Sequence, residues 1–164
     1  MAVRIEDAED RDLAGIVAIL NEVIATSTAV FSDSPVTLAE QGEWWRQRHE
    51  RGFPVLVVRE GEEVLAYASY GEFRSHAGYA TTVEHTVHVA SGARRRGIGR
   101  ALVERLVELA RADGMHVMVA GVDAANVPSI ALHEQLGFVE AARMPEIAKK
   151  SGEWVDLVLL TLRL

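Results

Sequence analysis

The chain has 164 residues, of which 49% are apolar and 25% are charged, and its formal net charge is −7. This length suits one domain over residues 1–164 with a sizeable core, and the composition is typical of a soluble globular protein. No apolar run approaches the ~18 residues of a membrane span. The acidic balance argues against a general nucleic-acid binder, which must neutralise many phosphates.

The chain contains no cysteine, which excludes disulfides, thiolate metal sites and a cysteine nucleophile. Residues 1–6 run straight into acidic sequence, and we do not expect them to be a signal peptide. The lack of cysteine is compatible with a reducing cytoplasm, which is the compartment that we expect. We also expect no membrane and no nucleic acid among the partners.

Hydrophobic periodicity predicts two helices in the first third of the chain. The first helix is expected to begin near Asp10, and a capping box at Thr37 is expected to open the second. Two apolar runs, 54–59 and 64–71, are separated by a short segment with a glycine, which predicts a β-hairpin.

Residues 81–89 alternate as a strand, with His85 on one face and both Glu84 and His88 on the other. Beyond it the pattern predicts a long helix from near Gly97, a strand over 116–122, a short helix from about Ser129, and two closing strands near 138–143 and 154–162. The predicted order is β-α-α-β-β-β-α-β-α-β-β, a mixed α/β fold.

Four arginines lie at the junction of the predicted strand 81–89 and the long helix, at Arg94, Arg95, Arg96 and Arg100. The first N–H groups of a helix lack internal partners and lie at the positive end of its dipole. Gly97 and Gly99 would let a phosphate approach these groups closely. We therefore expect one compact anion here, and the alternative is an exposed arginine run at a helix end.

Two known phosphate loops do not fit this segment. A Walker A loop requires Lys-Ser/Thr after its last glycine, whereas Arg100-Ala101 follows Gly99. A dinucleotide-binding loop requires a third glycine, and Val103-Glu104 occupies that region.

The hexapeptide Arg94-Arg95-Arg96-Gly97-Ile98-Gly99 resembles the Arg/Gln-x-x-Gly-x-Gly/Ala acyl-CoA loop of the GNAT superfamily of N-acetyltransferases. Residues 126–138, NVPSIALHEQLGF, resemble the Asn…Ala-x-x-Leu-Tyr-x-x-x-Gly-Phe segment that follows it in that superfamily. The chain is most similar to the phosphinothricin and methionine sulfoximine acetyltransferases. The segments that carry this closer likeness are 52–57, 67–71, 82–89, 116–120 and 144–145.

The resemblance implies a GNAT fold, with a mixed, largely antiparallel sheet of six to seven strands and about four helices. It implies acetyl-CoA as co-substrate, transfer of its acetyl group directly to a small-molecule amine in a ternary complex, and a homodimer. The pyrophosphate would be held by Arg94, Arg95, Arg96, Gly97, Ile98, Gly99 and Arg100, and the pantetheine arm by the backbone at Val87, His88 and Val89 with Asn126 and Ser129. Asn126 could equally cap the short helix.

Two residues are candidates for proton transfer. Glu84 is the expected general base, acting through water, because relatives carry glutamate at this place and an isolated carboxylate has little structural reason to lie mid-strand. His133 stands where many superfamily members have a tyrosine that donates to the departing thiolate, a task that histidine can perform near neutral pH. The alternatives are a half-exposed strand carboxylate and an ordinary helix histidine.

The sequence gives weaker signals for the residues that bind the acceptor amine. Arg74 in the loop after the third strand suits a carboxylate, and it could also be a solvated loop charge. Phe31 would provide an aromatic wall, and Ser75, His76, Glu84, His85 and Thr86 would line the rest of the site. His85 and His88 resemble a metal pair but should point to opposite faces, so we predict no metal.

The sequence is consistent with three functions. The first is acetylation of the α-amine of an amino acid analogue, and the second is acetylation of a protein N-terminus or another amine. The third is a non-catalytic acyl-CoA sensor.

Overall fold

The computed structural model describes residues 4–164. Residues 1–3, the start of the segment for which no signal peptide was expected, lie outside the described residues. The strands of the described part are β1 (Ile5–Asp7), β2 (Val55–Glu60), β3 (Glu63–Glu72), β4 (Thr82–Val89), β5 (Val117–Asp123), β6 (Val139–Lys150) and β7 (Glu153–Arg163). The α-helices are α1 (Leu13–Thr26), α2 (Leu38–Glu50), α3 (Ile98–Ala112) and α4 (Val127–Gln135).

The seven strands form one sheet in the order β1-β2-β3-β4-β5-β7-β6. Neighbouring strands are antiparallel except for β4 and β5, which are parallel. This is the mixed, largely antiparallel sheet that the sequence predicts, and the order of elements along the chain is confirmed.

Helices cover both faces of the sheet because both faces are apolar. On one face, α1 and α2 pack through residues such as Ile16 and Trp44 against Val57 and Tyr67. On the other face, Leu102 and Leu106 of α3 pack against Tyr70 and the rest of the larger core. Sheet and helices therefore bury two apolar layers, which is the main source of stability in a fold of this kind.

Local sequence signals explain most of the element boundaries. The Thr37 side chain accepts a hydrogen bond from Glu40 N at 3.2 Å, and Glu40 Oε2 accepts one from Thr37 N at 2.8 Å, so the predicted capping box is confirmed. Asn126 caps α4 by accepting from Ser129 N at 3.3 Å, and the helix therefore begins at Val127, before the predicted start at Ser129.

The closing hairpin is longer than the sequence predicts. The predicted strand ended near residue 143, but β6 runs to Lys150 through a register shift between Met144 and Ala148. Glu146 within this bulge has a φ of +50°, and its backbone N–H donates to Asp156 Oδ1 at 2.8 Å. A bulge interrupts the apolar alternation without ending the strand, which is why the pattern stops too early.

Candidate functional site

Strands β4 and β5 separate halfway along their length. Within residues 4–164, their parallel pairing runs from Thr82 with Val117 to Glu84 with Val119 and stops there. The remainder of β4, up to Val89, stays paired with β3 on its other side. Backbone groups on the open side of β4 therefore require partners from outside the sheet.

A cavity of about 870 Å³ lies at this opening. It extends from the end of β4 past the start of α3 to the start of α4, and the end of α1 and the loop after it close one side. Its lining includes most of the residues predicted to bind acetyl-CoA, namely Val87, His88, Val89, Arg94, Arg95, Gly97, Ile98, Gly99, Arg100, Asn126 and Ser129, together with His85, Thr86 and His133.

The start of α3 is open toward the cavity. Gly97 has a φ of +78°, a conformation that other residues adopt only with strain, and nothing lies within 4 Å of the position that a Cβ would take. No side chain of residues 4–164 caps this helix, so its first N–H groups lack internal partners. These features fit an oxyanion such as a phosphate, because free N–H groups and the helix dipole both attract negative charge there.

The four arginines differ in their surroundings. Arg94 Nε donates to the carbonyl of Val89 at 3.3 Å, and Arg100 Nη2 donates to Gln135 Oε1. Arg96 is separate, because its Nη2 lies 2.9 Å from Glu60 Oε1 and the residue does not line the cavity. The structure therefore brings Arg94, Arg95 and Arg100 together and leaves Arg96 on a surface ion pair.

Glu84 lies on the α1–α2 face of the sheet, directly opposite Gly71 of β3. Burial raises the pKa of its carboxyl group, and the positive charges of Arg74 and Arg48 oppose this rise. A Cβ on Gly121, a cavity-lining residue of β5, would lie 3.1 Å from Glu84 Oε1. The carboxylate therefore stands at the edge of the cavity, in surroundings that make it a stronger base.

His85 and His133 form a hydrogen-bonded pair on the opposite face of the sheet. His133 Nδ1 lies 2.7 Å from the carbonyl oxygen of Ser129, and the Nε2 atoms of the two rings lie 3.0 Å apart. Because a carbonyl only accepts, His133 carries its proton on Nδ1 and its Nε2 is an acceptor. His85 must then donate from Nε2, which leaves His85 Nδ1 as a buried acceptor with no partner in residues 4–164.

Both imidazoles are held in the neutral form. Burial lowers the pKa of His85 to about 3, and the neighbouring rings of His133 and His88 contribute to the shift. Burial also lowers the pKa of His133, although the hydrogen bond to Ser129 opposes the change. The rings stack at a centroid distance of 5.0 Å, and Phe138 packs against both edge-on.

His88 points to the other face, as the strand alternation predicts. Its ring lies 5.4 Å from the ring of Tyr67, and burial lowers its pKa to about 4 with a smaller effect from Arg94. In the part of the chain that the structure describes, no three His, Cys, Asp or Glu side chains are grouped as metal ligands would be. Over the same residues, no helix is both long and apolar enough to cross a membrane.

The residues predicted to bind the acceptor are less closely grouped. Arg74, Ser75 and His76 are exposed in the loop between β3 and β4. Phe31 is half-buried in the loop after α1, and like Arg74 it does not line the cavity.

Arg48 near Glu84 was missed by the sequence analysis. The spacing of the residues could have indicated its position. Arg48 follows Trp44 by four residues and therefore shares the sheet-facing side of α2.

Comparisons with known proteins identify the family of the chain. Residues 16–138 match the model of the acetyltransferase (GNAT) family. The chain is 43% identical over 165 residues to an L-methionine sulfoximine/L-methionine sulfone acetyltransferase of Pseudomonas aeruginosa, covering 100% of this chain and 96% of that protein.

Two solved structures are also similar over nearly the whole chain. A ribosomal-protein-alanine N-acetyltransferase from Brucella melitensis superposes with a TM-score of 0.97 at 39% identity, covering 99% of this chain and 100% of that one. A phosphinothricin acetyltransferase from Sinorhizobium meliloti in complex with acetyl-CoA gives a TM-score of 0.96 at 32% identity, covering 100% and 89% respectively.

Proposed function

Because the chain belongs to the acetyltransferase (GNAT) family, we propose that it acetylates the primary amine of a small amino acid analogue with acetyl-CoA. The acceptor is of the methionine sulfoximine, methionine sulfone or phosphinothricin type, as in the relatives from Pseudomonas and Sinorhizobium. The observation that carries this proposal is the opening between β4 and β5, since one cavity joins the glycine-rich start of α3 to the edge where Glu84 stands. Residues 1–164 act as one catalytic domain.

Acetyl-CoA supplies the acetyl thioester, and the residues around the cavity fit its parts. The start of α3 and the side chains of Arg94, Arg95 and Arg100 suit the pyrophosphate. The unpaired side of β4 at Val87 and Val89 suits the amide groups of the pantetheine arm, which can bind as an extra strand would.

Glu84 acts as the general base. The acceptor amine enters from the α1–α2 face, and Glu84 removes its proton directly or through one water so that the nitrogen lone pair can attack the thioester carbonyl. The N–H of Val87 at the opening stabilises the negative charge that develops on the carbonyl oxygen. No cysteine is present, so direct transfer is favoured over an acyl-cysteine intermediate.

His133 acts on the other side of the opening. In the neutral pair its only free nitrogen already accepts from His85, so it has no proton to give to a departing thiolate. Its role as a donor therefore requires a proton from outside the pair, and burial opposes this because it lowers the pKa of both imidazoles.

The test is release of free CoA from acetyl-CoA by the purified protein across a panel of amines. The panel contains methionine sulfoximine, methionine sulfone, phosphinothricin, common amino acids, a polyamine and a peptide with a free N-terminal alanine. Fast turnover of one of the first three supports the proposal. Turnover of other amines alone overturns the proposed acceptor class.

A second candidate is acetylation of a protein N-terminus. The likeness to the ribosomal-protein-alanine N-acetyltransferase from Brucella favours it, and it predicts that the alanine peptide is the best acceptor in the panel. The acyl-CoA sensor predicts tight binding of acetyl-CoA with no turnover of any amine.

We further propose a homodimer that works in the cytoplasm. The hairpin of β6 and β7 carries three large apolar side chains that are more than half exposed, Val139 at 67%, Ile147 at 54% and Trp154 at 60%. Large exposed apolar side chains are common at interaction surfaces, and β6 is an edge strand. Sedimentation of the intact protein tests this, because a monomer at working concentration overturns it. The absence of cysteine is compatible with a reducing compartment.

A further inference from the structure

Arg48 extends from α2 onto the sheet at Gly71. A Cβ on Gly71 would overlap the Arg48 guanidinium, so the group lies directly on the glycine backbone. Gly71 pairs across β3 and β4 with Glu84, and opposite residues of an antiparallel pair point to the same face. The guanidinium therefore lies beside the Glu84 carboxylate on the side from which the acceptor enters.

Aromatic rings hold Arg48 in this place without satisfying its hydrogen-bonding groups. Its Cζ lies 5.5 Å from the ring centre of Trp44 and 5.8 Å from that of Phe53. Among residues 4–164 its side chain forms no hydrogen bond or ion pair, and its buried Nε has no partner. The nearby carboxylate of Glu72 is bound instead by Arg51.

The arginine side chain has five N–H donors. Keeping it half-buried is costly unless acceptor atoms bind these donors. Burial lowers the pKa of Arg48, as expected for a cation that is removed from water. The contacts with the rings of Trp44 and Phe53 stabilise the cation but leave its N–H edge free. That free edge points to an oxygen ligand that comes from outside the chain.

Charge further limits the kind of acceptor. Two guanidinium groups, those of Arg48 and Arg74, act on the Glu84 carboxylate. Two positive charges beside the base repel a purely cationic amine such as a polyamine. They favour an amine that carries its own anionic or strongly polar oxygens, and arginine binds such oxygens well.

We propose that Arg48 is a specificity-determining residue that binds an oxygen of the acceptor, either its carboxylate or the oxygen-bearing group at the end of its side chain. Gly71 lacks a side chain so that the guanidinium can reach this place. The inference rests on the proposed function, since it names the part of the acceptor site that selects amino acid analogues over other amines.

The experiment measures acetyl transfer by wild-type protein, Arg48→Gln, Gly71→Ala and Arg46→Gln. Gly71→Ala keeps Arg48 but displaces its flexible end, and it needs no left-handed backbone. Arg46 lies on the exposed side of α2 and pairs with Glu43, so Arg46→Gln is the matched control. The acceptors are methionine sulfone, methionine, which keeps only the carboxylate, and 3-(methylsulfonyl)propylamine, which keeps only the sulfone.

We expect Arg48→Gln and Gly71→Ala to raise the KM for methionine sulfone about 10-fold or more, since charge-assisted hydrogen bonds are lost. The KM for acetyl-CoA and the melting temperature should stay near the wild-type values, as for Arg46→Gln. A matching rise with methionine assigns Arg48 to the carboxylate, and a matching rise with the propylamine assigns it to the sulfone.

Two outcomes overturn the inference, and they are distinguishable. If the wild type is active but both variants keep the wild-type KM for every acceptor that it uses, Arg48 does not bind the acceptor. If the wild type binds acetyl-CoA but acetylates none of the three amines and neither methionine sulfoximine nor phosphinothricin, the proposed acceptor class fails and the role of Arg48 fails with it.

Discussion

The Nε2 atoms of His85 and His133 lie 3.0 Å apart, and this contact determines where both protons of the pair reside. The carbonyl of Ser129 holds the proton of His133 on Nδ1, so His85 must supply the hydrogen between the rings. Neutral His133 carries no proton on Nε2 in this arrangement, so it cannot act as an acid at that nitrogen. The pair is therefore neutral in its resting state, and His85 Nδ1 is an acceptor with no partner among residues 4–164.

The tautomers can be measured directly. In the protein labelled with 15N at histidine, we expect His133 to show a protonated Nδ1 and a bare Nε2 at pH 7, and His85 to show the reverse. The expectation follows from the carbonyl partner, because a carbonyl oxygen cannot donate. Two rings that both carry protons on Nε2 would contradict the assignment, and His116→Gln, a change at an exposed histidine, identifies one of the remaining signals.

Stability should fall in mild acid because buried imidazoles must become charged. Burial lowers the pKa of His85 to about 3 and that of His88 to about 4. Below the unfolded value of about 6.5 the unfolded chain binds more protons, so the free energy of unfolding decreases as the pH falls toward 4. Denaturant unfolding between pH 7 and pH 4 measures this slope.

The matched variants for this slope are His85→Gln and His116→Gln. Loss of the buried imidazole should flatten the slope by up to about 1.4 kcal/mol per pH unit, the limit for one proton. The change at His116, which is exposed, is the control for the loss of a histidine. An unchanged slope in His85→Gln would mean that His85 is not held neutral by the fold.

Glu84→Gln should keep acetyl-CoA binding but lower kcat by about 100-fold or more, because the amide cannot take a proton. Calorimetry with acetyl-CoA and initial rates with the best acceptor measure the two effects. Burial raises the pKa of Glu84, so the wild-type rate should fall on the acid side at a higher pH than for an ordinary glutamate. Glu63→Gln, at an exposed end of β3, is the control, and unchanged turnover in Glu84→Gln removes the residue from the mechanism.

Periodicity was sufficient to predict the elements and the faces of β4. Alternation along a strand separates Glu84 from His85, and the structure confirms that they lie on opposite sides of the sheet. The resemblance to a known family indicated the binding loop before α3. Both signals are local, and local patterns determine helices, strands and turns well.

Contacts between distant parts of the chain could not be predicted in this way. Arg48 meets Gly71 only because α2 packs on β3, and neither residue alone indicates the other. His85 and His133 come together because α4 packs against β5 and β6 beside the opening, where His133 reaches β4. A single sequence does not contain the packing angles that create such pairs.

The neighbouring arginines before α3 differ in their contacts, and the sequence alone does not indicate this difference. Arg95 lines the cavity with a φ of +61°, whereas Arg96 forms an ion pair with Glu60 at 2.9 Å. We expect Arg95→Gln to raise the KM for acetyl-CoA about 10-fold, since a charge-assisted contact with a phosphate is lost. We expect Arg96→Gln to change it less than about twofold, because surface ion pairs contribute little.

Acetyl-pantetheine, which lacks the nucleotide and its pyrophosphate, separates a phosphate contact from a general effect of charge. Its KM should be the same in wild type, Arg95→Gln and Arg96→Gln, because the changed side chain then has no phosphate to meet. Equal losses in both variants with acetyl-CoA would show that the arginines act through their summed field, as long-range attraction of an anion would require. A loss confined to Arg96→Gln would mean that the ion pair with Glu60 opens when acetyl-CoA binds and that Arg96 then meets the phosphates.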